Sequence, residues 1–150
     1  MIIRVETSKR TGIDNIQEFE LSAFERNWSA EIPKKYPRAV QRTQPSPLYN
    51  CHGLTFASRR TRIIESYSLS QIIGDDKWAE IDIREVLAGD IVIYFSADGD
   101  ANHSGVVVGI ADLGVPKVFS KWGSAGEYIH LLNDCPPLYG PQTRFYRCHL

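Results

Sequence analysis

GDIVIYFSADGDANHSGVVVGI, residues 89–110, contains two runs of β-branched and aromatic residues, DIVIYFS (90–96) and SGVVVGI (104–110), on either side of a polar loop rich in Gly and Asp. Runs of this kind bounded by turn-forming residues predict a β-hairpin. Three more follow: KVFSKW (117–122), EYIHLL (127–132) and TRFYRC (143–148), separated by ADLGVP, GSAG and NDCPPLYGPQ. No helical pattern intervenes, so the second half of the chain reads as an antiparallel meander of about five strands. Upstream the pattern changes. From Cys51 to about Glu65 there is no proline, Leu54, Ala57 and Ser58 share one helical face, and strict alternation is missing, which predicts a helix. SLSQIIGDD (68–76) predicts a second short helix ending at Gly74, and KWAEIDIREVLAGD leads from it into the first strand.

The fold class that follows is α+β, in one domain over 1–150, with residues 49–150 as the core and 1–48 as a less regular N-terminal extension. Within that extension IIRVE (2–6) suggests an edge strand and IQEFELSAFERNW a short helix. The four prolines of EIPKKYPRAVQRTQPSPL suggest an ordered or semi-extended loop, a lid or a substrate wall. Hydrophobic residues make up 43% and charged residues 23%, and the formal net charge of -1 shows no excess of positive charge, so nucleic acid is not expected as the main partner. No run of apolar residues is long enough to span a membrane, and MIIRVETSKRTGID does not read as a Sec-type signal peptide, which gives a cytoplasmic location as the expectation. Cys51, Cys135 and Cys148 are an odd number without C-x-x-C spacing, so free thiols are expected and neither a disulfide framework nor a structural metal site.

YNCHGLTFASRRT (49–61) puts Cys51 where a loop becomes a helix. A helix start would favour the thiolate and offer free amides to a tetrahedral oxyanion, and Gly53 would leave room for substrate. His103, opening the second strand of the hairpin beside the small residues Ser104 and Gly105, is the natural base for such a thiol. His52 would point away from the sulfur, and the RRTR run at 59–62 reads as a solvated helix face.

The order "NCHGLTFA", "AGDIVIYF", "HSGVVVGI" resembles the papain-like amidases and peptidases of bacterial cell-wall turnover, the NlpC-type peptidases and the CHAP amidases, over about residues 49–132. The resemblance implies a nucleophile helix packed on an antiparallel sheet. It also implies hydrolysis of an amide through a thioester, Cys51 as nucleophile, His103 as base, and no cofactor. Peptidoglycan peptides are the substrate class it suggests. An intracellular amidase, deamidase or acyl hydrolase, or a binding module on the same fold, stays open, as does delivery as a toxin or effector that an inhibitor or immunity partner would block. Asn50 and His52 depart from the family's acidic residue and serine beside the cysteine. Tyr49 and Asn50 are the candidate substrate and oxyanion contacts.

The family's third polar residue falls at Ser120. If Ser124–Gly126 form a tight loop, Gly123 faces Glu127 and Ser120 faces His130, which places His130 where it could orient His103. Asp134 and Glu127 are the next candidates for that role.

Overall fold

The computed structural model describes residues 1–149. Three helices, α1 (Ala23–Lys35), α2 (Cys51–Phe56) and α3 (Ser66–Asp75), accompany seven strands: β1 (Val40–Gln41), β2 (Trp78–Ile81), β3 (Ile91–Phe95), β4 (Ala101–Ile110), β5 (Pro116–Lys121), β6 (Glu127–Leu131) and β7 (Gln142–Cys148). The strands form a single open sheet in the order β1-β6-β5-β4-β3-β7-β2, every neighbouring pair antiparallel. The α+β class and the β3–β6 meander agree with the sequence. The strand count does not: β1 and β2 extend the sheet at its two edges, where β2 pairs with the distant β7. No helix among the described residues is long and apolar enough to cross a membrane.

The two faces of the sheet carry separate cores. Tyr94, Val107, Val118, Trp122, Tyr128 and Leu132 pack on one face with Ile32 of α1. On the other, Ile91, Ile93 and Tyr146 pack against Ile63, Leu69 and Ile72, with Val5 and Ile13 of the N-terminal segment. IIRVE forms no edge strand of the sheet. It folds back through a single bridge between Glu6 and Gly12, while the Asn15 side chain holds the backbone of Ile3 and Ile13.

The helix expected over IQEFELSAFERNW starts later, at Ala23, because Ser22 and Glu25 form a capping box: each side chain bonds the other residue's backbone N–H at 3.1 Å. It continues through Pro33, which sits in its last turn. The helix opened by Cys51 stops at Phe56, not near residue 65, since Ser58 and Arg59 take left-handed conformations (φ 52° and 64°). The RRTR run is accordingly no solvated helix face: Thr61 is fully buried, and Arg62 bonds the Pro47 carbonyl, Ser124 and Glu25.

Candidate active site

Asn50 sets the position of Cys51. Its Oδ1 accepts from the N–H of Gly53 (2.9 Å) and of Ile63 (3.1 Å), and its Nδ2 donates to the Ile63 carbonyl (2.8 Å). One side chain thus caps α2 and clamps it to the returning segment at 61–63. The expected oxyanion contact is therefore a cap. Gly53 leaves no room for substrate either, since a Cβ there would lie 1.9 Å from the Thr61 carbonyl oxygen. His52 turns inward, not outward: buried, it contacts Ser104 Oγ through Nδ1 (2.8 Å) and the Ala101 carbonyl through Nε2 (3.3 Å), and Ser104 Oγ donates on to Thr55. These bonds fasten α2 to β4.

The hydrogen-bonded register between β4 and β5 ends at Val106–Phe119, although β4 reaches back to Ala101 and β5 runs on to Lys121. The Cys51 thiol lies by this opening. Burial pushes it up to about 11, against the opposing pull of the backbone N–H groups of Ser104, His52 and Cys51 itself and of the Lys121 ammonium. With only a six-residue helix behind it, the helix start does not win over desolvation. The free protein therefore holds a thiol, with roughly one part in a thousand as thiolate at pH 8. Alkylation by iodoacetamide at pH 8 is expected to reach the partly exposed Cys148 first and the buried Cys51 and Cys135 much more slowly, as peptide mapping would show. Fastest labelling at Cys51 would contradict that order.

His103 precedes the Ser104 amide and sits opposite Tyr94. It is fully buried, and among the described residues neither ring nitrogen has a hydrogen-bond partner. Its ring stacks on Tyr139, centroids 3.7 Å apart and planes within 1°, and meets Tyr94 edge-on at 5.3 Å. Burial first, then the nearby His130 and His52, holds its pKa well below the usual histidine range, so the imidazole is neutral. Ser104 and Gly105 do not leave it accessible. Ser104 is taken by His52, and Gly105 is required for the close approach of β5, where a Cβ would stand 2.5 Å from Val118 Cγ1.

The β5–β6 register pairs Ser120 with Tyr128 and Val118 with His130, two residues from the expected pairing. A slip of two keeps every side chain on its face. Ser120 Oγ and His130 Nε2 do meet, diagonally, at 2.8 Å. Trp122 Nε1 donates to Ser120 Oγ, and His130 Nδ1 faces the Leu131 carbonyl at 2.8 Å, so both nitrogens of His130 are engaged and neither bonds His103. The expected orienting role of His130 is not realised in this geometry. Glu127 and Asp134 do not fill it: Glu127 bonds Tyr49 and Arg59, and Asp134 pairs with Arg38.

The sequence reading did not single out Lys121. Fully buried, its Nζ donates to the carbonyls of Ser46 (2.8 Å), Tyr49 (3.0 Å) and Gly123 (2.7 Å) and stands 4.5 Å from the centre of the Tyr49 ring. Burial, then Arg62, draws it down to about 7, while Cys51 and Glu127 favour its charge. Three carbonyls need three N–H donors, which an ammonium has and a neutral amine lacks, so the geometry holds it as a cation. Tyr49, expected as an oxyanion donor, instead gives its hydroxyl to Glu127 (2.5 Å). Burial and that bond push the phenol up to about 12. Burial raises the Glu127 carboxyl, but the Arg59 guanidinium (2.6 and 3.1 Å) and the Tyr49 hydroxyl outweigh it and hold the group below the usual range.

Burial also pulls His52 and His130 down to about 4. Both bases, like His103, are neutral in the folded chain, and the unfolded chain binds more protons below about pH 6.5. Their contribution to stability is therefore full above pH 6.5 and is lost as the pH falls toward 4. The urea midpoint should drop steadily across that window, and a flat profile would mean these imidazoles are already charged when folded. Among the described residues no cluster of three or more His, Cys, Asp or Glu is gathered to hold a metal ion. No protein-family model, curated protein or solved structure matches the chain.

Proposed function

We propose that the chain is a cysteine hydrolase on a papain-like fold, cleaving an amide bond through a thioester on Cys51. The observation that carries this reading is His103. A buried imidazole with both nitrogens unpaired costs about 1–3 kcal/mol, a cost that points to use of the group. It lies one residue from the amide that faces the Cys51 sulfur. When substrate enters, His103 takes the thiol proton, the sulfur adds to the carbonyl carbon, and the amides of Cys51 and Ser104 receive the oxyanion. His103 then gives its proton to the leaving amine, and a water molecule, deprotonated by the same imidazole, releases the acyl half. Tyr139 holds the plane of the imidazole by stacking, in place of a third hydrogen-bonding residue. No step calls on a cofactor. Peptidoglycan peptides are the first substrates to try, on the resemblance of the three motifs to wall enzymes. One observation favours a non-catalytic binding module on the same scaffold: at rest both the thiol and the imidazole are neutral.

The test separates these readings with His103→Leu. Wild type and variant are incubated with peptidoglycan fragments and peptide amides, the products are read by mass spectrometry, and stability is read by urea unfolding. Turnover by wild type with a loss of roughly 10²–10⁴-fold in the variant is expected. Removing two unpaired nitrogens should leave the variant as stable as wild type or about 1–2 kcal/mol more so. A variant that cleaves like wild type, or no cleavage by wild type, would defeat the catalytic reading, and a loss of several kcal/mol would make His103 a structural residue.

A further inference from the structure

Sharing Tyr139 with the His103 stack, a cavity of about 300 Å³ is walled by Phe24 and Trp28 of α1, by Pro136, Leu138 and Tyr139, and by the 123–124 turn. We propose that it is a substrate subsite that takes one bulky apolar side chain, of the Phe or Leu class, next to the scissile bond. The proposal rests on the hydrolase reading above. Three separate observations carry it. First, Tyr139 belongs to both places: one face of its ring is covered by His103, and the residue also lines the cavity, so a group seated there shares this side chain with the base. Second, Phe24 (81% exposed) and Leu138 (76% exposed) stand at this cavity although each would be better covered, and large exposed apolar residues gathered at one site mark a place that something apolar fills.

Third, the carboxylate of Glu25 and the hydroxyl of Ser124 in the wall are already satisfied. The Glu25 carboxylate accepts from the Ser22 backbone and pairs with Arg62, and Ser124 Oγ accepts from Arg62 Nη2 at 2.8 Å. No unpaired charge is left to greet a charged ligand, so the occupant is neutral. The volume sits at the low end of small-ligand sites, roughly 300–1,000 Å³, which suits a single side chain and not an extended ligand. Such a subsite prefers peptides with Phe or Leu beside the cleaved bond over the small and charged side chains of wall peptides.

The experiment has a binding arm and a turnover arm. Cys51→Ala protein is titrated with N-acetylphenylalaninamide, N-acetylleucinamide, N-acetylalaninamide and N-acetylglutamic acid amide, followed by ¹H–¹⁵N shifts of the Trp28 indole and the Ser124 amide. Wild type is then given peptide amides varied at one position through the same four residues. Expected are saturable shifts with the Phe and Leu compounds only, weakened tenfold or more by Leu138→Glu, and kcat/KM at least tenfold higher for Phe or Leu than for Ala or Glu. Equal shifts with all four compounds, or none, together with turnover that ignores the side chain, would overturn the subsite and leave the dyad intact. Selective shifts without turnover of any peptide amide would overturn the hydrolase on which the subsite rests.

Discussion

Cys51→Ala is expected to fold as the wild type does and to lose amide hydrolysis by roughly 10⁴-fold or more, the scale on which a covalent nucleophile is missed. The two halves of that expectation have different origins. Folding survives because the thiol makes no hydrogen bond that holds the fold: α2 is fixed by the Asn50 cap, by the close fit of Gly53 on Thr61 and by the His52–Ser104 contact, none of which uses the sulfur. The cost of trading a buried thiol for a methyl is about 1 kcal/mol. Turnover fails because no other group takes its place: Cys135 is buried in the cluster of Tyr94 and Tyr139 with its thiol turned to the Leu132 carbonyl (3.6 Å), and Cys148 ends β7. Circular dichroism and urea unfolding check the first half, product formation the second. Hydrolysis that persists in the variant would assign the chemistry to another residue.

Lys121→Met is expected to lower stability by about 3–5 kcal/mol, a large part of the total for a domain of this size. Methionine fills the volume but offers no donor, so the carbonyls of Ser46, Tyr49 and Gly123 lose their shared partner at once. A buried carbonyl at Tyr49 and part-buried ones at Ser46 and Gly123, left without their donor, account for the size of the effect. The same ammonium holds the Tyr49 carbonyl, one residue before the cap of α2, so the start of α2 should loosen with it. Urea unfolding reads the loss directly. A change below about 1 kcal/mol would show that water replaces the ammonium at no cost, and that the 46–49 segment is held by something else.

The parts of this architecture that the sequence made legible are those with local signals. The β3–β4 hairpin followed from two β-branched runs about a Gly- and Asp-rich loop, and the start of α2 from its position after a polar loop. The end of α2 was hidden because the residues that turn the chain left-handed, Ser58 and Arg59, are not glycines. β1 and β2 were hidden because each is short and pairs with a strand far away in sequence. His130 was placed on the correct face with the wrong partner, since a two-residue change in register preserves the side-chain alternation. The helix-start argument for an activated thiolate failed on magnitude, because a one-and-a-half-turn helix cannot offset full burial. Lys121 carried a signal that went unread, and Glu127 was read only as a candidate partner for His103: both are charged residues among aromatics on two paired strands, at positions that point into the protein. Buried charges of that kind require partners, and here the partners are the loop that delivers Cys51.

Hydrolysis through a thioester requires that Cys51 carry the acyl group. During turnover of a cleavable peptide amide, samples are quenched in acid and the protein is measured by intact-mass and peptide mass spectrometry. A transient species heavier by the acyl half, mapped to the peptide containing Cys51 and absent from Cys51→Ala and from His103→Leu, is the predicted result. Product formation with Cys51 free at every time point, or an adduct on another residue, would contradict the account.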